Sequence, residues 1–448
     1  MLTRWPIRQC LAFRQLSGST REKLDGVLKI LNSRPTSDQL MYVSKNFLDV
    51  YQRGEPKEKL DLVLRLGKEA GINQNSLEGA ISRFSKNNSL FLDVRSAATP
   101  AFHTLFQSIG NTEGGVRQIC DIREFLLRQI RKADKADVAV LRRIEESCRE
   151  LLTSWFCLSN LKLCRLTWES PGDIIQKVAS YEAVHPVHGL LDIKRRVGPH
   201  RRCFYFQHEA MPREPLVIVH VALTDQIASN VQHITKEADL SYDESRDNTA
   251  IYYSSTSTQK GLSGVDLGNL LIKSVVAELS REDPHIKTHS TLSPIPGFRA
   301  WLLRALKEPQ SFGDVLDEFC LQELKRLAQK DVSVEEGGRL LLNVLGSDRV
   351  EHQRIEVFKP LLMRLCATYL YKEKRNGYAL NPVANFHLRN GAELYRINWA
   401  ADTSARGLFN SFGIMVNYRY RLEDVNSNSA SYVNSKTIAV DPQVLNLL

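Results

Sequence analysis

Two segments of this 448-residue chain set a reactive side chain beside residues that stiffen the backbone. One runs Ser290-Thr291-Leu292-Ser293-Pro294-Ile295-Pro296-Gly297-Phe298. The other runs Asn381-Pro382-Val383-Ala384-Asn385-Phe386-His387-Leu388-Arg389-Asn390-Gly391-Ala392. Proline fixes its own φ and biases the residue before it toward extended geometry. Ser293 precedes Pro294 and Ile295 precedes Pro296, so the first segment is expected to be extended and to leave its ladder at Ser293. A side chain there stands at a strand end, where ligand sites of α/β folds lie. A serine hydroxyl can orient a carboxylate or relay a proton. Histidine, whose ordinary pKa is near neutrality, can deliver one. Each residue also has a plainer reading. Ser293 fits a strand-end serine bonded to nearby backbone, and His387, between Phe386 and Leu388, a satisfied core histidine.

The elements that must position them fall into two parts. From Lys23 to Phe156 apolar residues recur at spacings of three and four. Leu60, Val63, Leu64 and Gly67 share one face, as do Ile119, Ile122, Phe125, Leu126 and Ile130. Leu141, Ile144, Cys148, Leu151 and Leu152 form another, the pattern of amphipathic helices. After Leu158 the character changes. Cys203–Phe206, Leu216–Leu223 and Ala250–Ser254 are β-branched and aromatic, as strands are. A polar loop at Thr256–Ser263, a helix at Val265–Arg281 and a strand at Lys287–Leu292 then make a β–loop–α–β unit. Further helices are expected at 298–307, 313–329, 335–346 and 356–374, and a late strand at Ile414–Tyr420. The fold class is therefore α+β, with an all-α helical bundle over 22–156 and an α/β domain over 157–448. The bundle offers helix faces for assembly, although internal packing alone explains the same pattern.

The stretch Ser263-Gly264-Val265-Asp266-Leu267-Gly268-Asn269 opens the helix of that unit. Helix N-termini carry free N–H groups and partial positive charge and bind phosphates well. Gly264 and Gly268 would let a phosphate approach the backbone closely. Asp266 would repel phosphate but favours the helix dipole. Read without context, two glycines near a helix start are more often ordinary turn residues, and the strand–loop–helix–strand setting brings the two readings level.

Composition narrows the function. Hydrophobic residues make up 43 %, enough for sizeable cores, and no apolar run approaches the ~20 residues of a membrane helix. The net charge of +9 includes Arg4, Arg8, Arg14 and Arg21 in an acid-free stretch, residues 1–21. No basic helix interleaved with aromatics appears, so nucleic acid is not an expected partner. The eight cysteines are scattered without a CxxC pair, which argues against a zinc site or a secreted disulfide framework. His185 and His188 have metal-compatible spacing, but no carboxylate or third histidine accompanies them in a recognisable pattern, and no metal is expected. Lys194, Arg195, Arg196, Arg201 and Arg202 read as a solvated basic face. Residues 1–21 are basic, hydroxyl-bearing and acid-free, as mitochondrial transit peptides are, with a matrix-protease-like site after Leu16. The C-terminal Asn446-Leu447-Leu448 lacks a Ser-Lys-Leu type of peroxisomal address, so a peroxisomal pool is not expected.

The segments LSPIPGF and YALNPVANFHLRNGA resemble the malonyl-CoA decarboxylase family. So do VALTD at 221–225, PLLMRLCATYLY at 360–371 and NYRY at 417–420. The resemblance runs from about Leu158 to Leu447 and is weaker in the helical part. It implies a GNAT-like (acyl-CoA N-acyltransferase-like) catalytic domain that binds CoA at Ser263, Gly264, Val265, Asp266, Leu267, Gly268 and Asn269. This loop departs from the acetyltransferase pattern, with Ser263 in place of arginine or glutamine and Asp266 in place of the middle glycine. The resemblance also implies His387 as proton donor, Ser293 as its partner on the malonyl group, and Ser254 and Tyr420 as further polar site residues. Asp266 would lie near the reacting acyl group. The implied reaction is malonyl-CoA to acetyl-CoA and CO2 in fatty-acid metabolism, in the mitochondrial matrix, by a homo-oligomer (a tetramer). The thioester itself delocalises the charge, so no cofactor is required. An acyl-CoA-dependent acyltransferase on the same scaffold is the alternative, and a catalytically inactive CoA-binding scaffold is a third.

Overall fold

The computed structural model describes residues 20–33, 35–236, 244–308, 315–347 and 352–448. Residues 1–19 of the expected transit segment, and its cleavage site, lie outside the described residues. The chain divides into two units, each with its own core. The first holds residues 1–162, 207–216 and 259–267, and the second holds 163–206, 217–258 and 268–448.

Among the described residues, eight α-helices build the first unit: α1 Thr20–Leu31, α2 Ser37–Arg53, α3 Pro56–Glu69, α4 Gln74–Phe84, α5 Phe91–Ala98, α6 Ala101–Gly110, α7 Gly115–Ile130 and α8 Lys135–Trp155. Local chemistry sets their starts. Thr36 and Gln39 form a capping box before α2, and Asn73 and Asp134 cap α4 and α8. The spacings then decide what is buried. Ile119, Ile122 and Leu126 of α7 and Leu141, Ile144 and Leu152 of α8 are all fully enclosed. Each such side chain contributes about 2 kcal/mol of burial. Gly67 lets α3 and α8 approach, since a Cβ there would fall 2.5 Å from Val140 Cγ1. The segment 259–267 docks on α7 in the same way. A Cβ at Gly261 would fall 2.0 Å from the Cys120 carbonyl oxygen. The buried Arg123 donates to Gly261 O at 2.6 Å and to Glu145 at 2.9 Å.

The second unit is organised by an eight-stranded sheet. Its strands are β1 Leu161–Leu166, β2 Arg201–His208, β3 Val217–Thr224, β4 Thr249–Ser257, β5 Thr288–Thr291, β6 Ser293–Pro294, β9 Glu393–Asn398 and β10 Met415–Tyr420. A separate hairpin, β7 Lys374–Arg375 and β8 Tyr378–Ala379, stands apart. The order is β1-β2-β3-β4-β5-β10-β6, with β9 also on β10. β4 and β5 are parallel, as the crossover helix between them, Leu267–Glu282, requires, whereas β2–β3, β3–β4, β5–β10, β6–β10 and β9–β10 are antiparallel. A large core on one face includes Ile295, Phe298, Leu365, Leu388, Val416 and Tyr418. The other face carries Ala222, Ile251, Tyr253, Leu292 and Met415, with Cys203, Tyr205 and Ile218 further along.

Several expectations are corrected here. The segment at Ser293 does not leave its ladder. Ser290 pairs with Arg419, and Ser293 and Pro294 pair with Val416 and Met415 in the same register. In between, side chains replace backbone bonds. Asn417 Nδ2 donates to the Thr291 carbonyl at 2.7 Å, and the Tyr418 N–H donates to Thr291 Oγ1 at 3.1 Å. Pro294 is tolerated because β6 is an end strand of the sheet order. Nor is the arginine cluster a solvated face throughout, for only Arg195 among its arginines is exposed. Arg196 is buried against Asp192, Arg201 donates to Ile234 O, and Arg202 lies 3.4 Å from Glu282. The helices expected after 298 occur at Phe298–Ala305, Glu318–Ala328, Val334–Leu345 and Lys359–Tyr371. The early part of the 313–329 expectation lies partly outside the described residues.

Candidate active site

Asn381 joins the two stiff segments. The Asn-Pro pair starts the helix Pro382–Arg389, with Asn381 as N-cap accepting from the Ala384 N–H at 2.9 Å and Pro382 in the first turn. The same side chain, fully buried, donates to the Pro296 carbonyl at 2.8 Å, where Tyr369 Oη also donates at 3.1 Å. Gly297 then turns the chain in the left-handed region, φ 84°, and starts the next helix. The turn after Ser293 and the helix bearing His387 are thus fixed to each other by one amide.

That fixation brings the two reactive side chains together across 94 residues. Ser293 Oγ lies 3.3 Å from His387 Nε2 and donates to Thr291 Oγ1 at 2.9 Å. His387 Nδ1 lies 2.8 Å from Tyr420 Oη. Alternation along β10 puts Tyr418 and Tyr420 on one face. The His387 ring stacks on Tyr418, centroids 4.6 Å apart and planes 24° apart. The result is a continuous chain, Thr291–Ser293–His387–Tyr420. Two proton orders satisfy it, with the imidazole hydrogen on Nε2 facing Ser293 or on Nδ1 facing Tyr420. Neither Ser293 nor His387 is more than 6 % exposed. Tyr420 does not carry its hydroxyl at the surface.

Burial also sets the electrostatics, against the simplest expectation for a proton donor. It drives the His387 imidazole down to about 3, so the ring is neutral at physiological pH. It pushes the Tyr420 phenol well above its ordinary value. One strand over, Tyr252 Oη lies 3.1 Å from His289 Nδ1, and burial lowers His289 to about 4.

Ser254 does not join this chain. Between β3 and β4 the register shifts, so that His220 pairs with Ser254 and Val221 with Tyr252, leaving Tyr253 as a bulge. The bulge turns Ser254 onto the face opposite Ser293, where its hydroxyl donates to both Glu182 oxygens at 2.8 and 2.7 Å. The bulge also marks where the sheet parts. The β4–β5 ladder closes with Tyr252 opposite Thr291 and the Leu292 N–H on Tyr252 O at 3.2 Å. Beyond that point β4 runs on against β3 while β6 follows β10.

The expected coenzyme loop straddles the boundary of the two units. Ser263, Gly264, Val265, Asp266 and Leu267 belong to the first, and Gly268 and Asn269 to the second. Gly264 has φ 79°, which favours glycine, and Ser263, Gly264 and Asp266 are exposed. Gly268 has a packing reason of its own. A Cβ there would lie 3.1 Å from the Phe386 ring, the residue preceding His387.

Sequence reasoning missed Thr291, Tyr418 and Glu182. The first two stand two residues before Ser293 and Tyr420, so strand alternation signals them. Glu182 carries no such signal.

Comparison with known proteins now has a geometry to meet. The model of the malonyl-CoA decarboxylase C-terminal domain matches residues 159–448, and that of the N-terminal domain matches 71–156. "Malonyl-CoA decarboxylase, mitochondrial" of Anser anser anser is 46 % identical over 361 residues, 79 % of this chain and 71 % of that protein. The Rattus norvegicus protein of the same name is 43 % identical over 380 residues, 84 % and 76 % of the two chains. The crystal structure of malonyl-CoA decarboxylase from Agrobacterium vitis superposes with a TM-score of 0.81 at 30 % identity, covering 95 % of this chain and 99 % of that one. The one from Rhodopseudomonas palustris gives 0.80 at 32 %, covering 96 % and 100 %. This chain belongs to the malonyl-CoA decarboxylase family.

Proposed function

We propose that the chain converts malonyl-CoA and a proton to acetyl-CoA and CO2, with Ser293 and His387 as the catalytic pair. The observation that carries this is the buried Ser293–His387–Tyr420 chain at the place where the sheet parts. Breaking the C–C bond of the malonyl group releases CO2 and leaves an enolate on the thioester. Donors at the thioester oxygen stabilise that enolate, and carbon must then take a proton. A malonyl carboxylate beside His387 brings negative charge into a low-dielectric site, which favours imidazolium there. His387 therefore charges as substrate binds, Tyr420 holds Nδ1, and Nε2–H passes its proton to carbon directly or through Ser293. The imidazole returns neutral and takes its next proton from solvent as the next malonyl group binds. Ser293, held by Thr291, orients the carboxylate. The thioester supplies the electron sink, so the reaction calls for no metal, flavin or pyridoxal.

The GNAT-like reading of the second unit is supported by the β4–helix–β5 crossover and by the parting of β4 from β6. A thioester arm with two amides could bond along that opened strand edge. For the CoA phosphates, the loop from Ser263 to Asn269 is supported by the start of the helix Leu267–Glu282 and by the turn at Gly264. Mitochondrial residence is supported by the composition of residues 1–21 and by the named location of the relatives.

The test is CO2 and acetyl-CoA release from malonyl-CoA by the purified chain, beside His387→Ala and Ser293→Ala. Release by the parent and losses of at least about 100-fold in folded variants are expected. A folded parent that binds CoA but releases no CO2 overturns the reading.

A further inference from the structure

Glu182, just after the helix Gly172–Tyr181, is a fully enclosed carboxylate that the proton chain does not use. It accepts from the Val184 and His185 N–H groups at 2.7 and 2.9 Å and takes the Ser254 hydroxyl on both oxygens. His220 Nε2 stands 3.3 Å away. Burial drives His220 down, so this imidazole is neutral at physiological pH. Burial pushes Glu182 up, but its interaction with His220, followed by the His185 N–H, the Ser254 hydroxyl and the Val184 N–H, outweighs it and holds the carboxyl below its ordinary value. The carboxylate is therefore ionised and rests on amide and hydroxyl donors. Its loop is held by Arg406, which donates to the carbonyls of Ala183 and Val184 at 2.6 and 3.3 Å.

What Glu182 grips is the bulged residue pair of β4. Tyr252 stands opposite Thr291 at the end of the parallel ladder, and the bulge that follows puts Ser254 at the mouth of the parted sheet. A bulge is an extra residue with no partner of its own, and a one-residue slip would send each following side chain to the other face. The bulge therefore needs a fixed point on the face it turns toward. We infer that Glu182 is a positioning residue for the reaction, holding Ser254 so that the free edge of β4 keeps the acyl-CoA arm aligned with Ser293. The inference rests on the decarboxylase reading, and it assigns Ser254 to this anchor rather than to direct contact with substrate.

Glu182→Gln and Ser254→Ala should each raise KM for malonyl-CoA about tenfold while kcat falls less than about threefold, the pattern of lost uniform binding. The double variant should cost no more than the larger single change, because one interaction is removed twice. Ser254→Thr, which keeps the hydroxyl, should restore most of the loss. Acetyl-CoA affinity, measured by calorimetry, should fall by the same factor and does not depend on decarboxylation. If the parent binds acetyl-CoA but releases no CO2, the decarboxylase reading fails while the calorimetry still tests the anchor. Unchanged KM and affinity in Glu182→Gln would overturn the inference, even if melting temperature fell. So would a Ser254→Ala variant that loses mainly kcat while Glu182→Gln does not, since Ser254 would then act on substrate itself. Should Glu182→Gln not fold, Ser254→Ala alone carries the test.

Discussion

Acidification from pH 7 to pH 5 should strongly destabilise the second unit. Its buried histidines His387 and His289 are held down to about 3 and about 4, and His185 and His220 are lowered by burial as well. An unfolded histidine titrates near 6.5. A group depressed in the folded state contributes stability that is present above its unfolded pKa and is lost as pH falls toward the folded one. At pH 5 the unfolded chain binds nearly one proton at each such site and the folded chain almost none, which costs about 2 kcal/mol per histidine. His387 and His289 together remove about 4 kcal/mol, against a total of roughly 5–15 kcal/mol for a domain. His185 and His220 act in the same direction. The carboxylates with lowered values, such as Asp192 and Asp317, act in the same direction but at lower pH. Asp121, raised by burial, belongs to the first unit and opposes them there. Urea unfolding followed by circular dichroism at pH 7, 6 and 5 and constant ionic strength measures the slope. Each depressed histidine adds close to 1.4 kcal/mol per pH unit. His387→Gln should lower the slope by about one proton whatever it does to activity. Equal stability of the parent at pH 7 and 5 would refute the reasoning, and so would an unaltered slope in His387→Gln.

Three substitutions test how the site is held. Asn381→Ala removes a cap worth about 1 kcal/mol and one of two donors on Pro296 O, for a total of about 2 kcal/mol. Its kcat should fall further than its melting curve suggests, and a kcat at the parent's level would separate Asn381 from site geometry. Tyr420→Phe leaves His387 Nδ1 buried without a partner, and kcat should drop roughly 10- to 100-fold with KM little changed. A steady-state kcat within twofold of the parent would dismiss Tyr420 as part of the chain. In Gly268→Ala, the better helix propensity of about 1 kcal/mol offsets part of an overpacking cost of about 1–3 kcal/mol against Phe386. Stability should change little while kcat falls, and Phe386→Leu added to it should recover activity. No recovery would mean that Gly268 matters for something other than Phe386.

Much of this was legible because the relevant physics is local. Spacings of three and four in Ile119–Leu126 and Leu141–Leu152 specify helices, and those residues are buried. The β-branched and aromatic runs at 216–223 and 250–254 specify strands. No helix is expected from the sequence at 382–389, although Asn before Pro is one local start signal, and that helix fixes where His387 can point. The chemistry of Ser293 and His387 came from the motifs that carry the resemblance, since either residue alone has an ordinary structural explanation. What escaped reading depends on distance or on a single residue. Glu182 meets Ser254 across 72 positions with no pattern joining them. The bulge at Tyr253 changes the face of Ser254 without altering composition. The arginines of 195–202 read alike as letters, yet Arg195 is exposed and Arg196 is buried.

The neutrality of His387 then acquires a meaning for specificity. A histidine that stayed charged at pH 7 could protonate a carbanion, but it would also form a standing ion pair with any anion that entered. Burial removes that charge until a ligand brings its own negative group to the ring. In the proposed mechanism, proton uptake is thereby tied to the one substrate feature that is about to leave, the free carboxylate. Acetyl-CoA has no such group, so it cannot support the imidazolium, and the product leaves a neutral site behind. The same burial that is expected to make the fold acid-labile would then make the proposed donor conditional on malonyl. Substrate binding should take up close to one proton at pH 7 and acetyl-CoA binding none, which calorimetry in buffers of different ionisation enthalpy resolves. Equal uptake by both ligands would sever the donor's charge from the carboxylate.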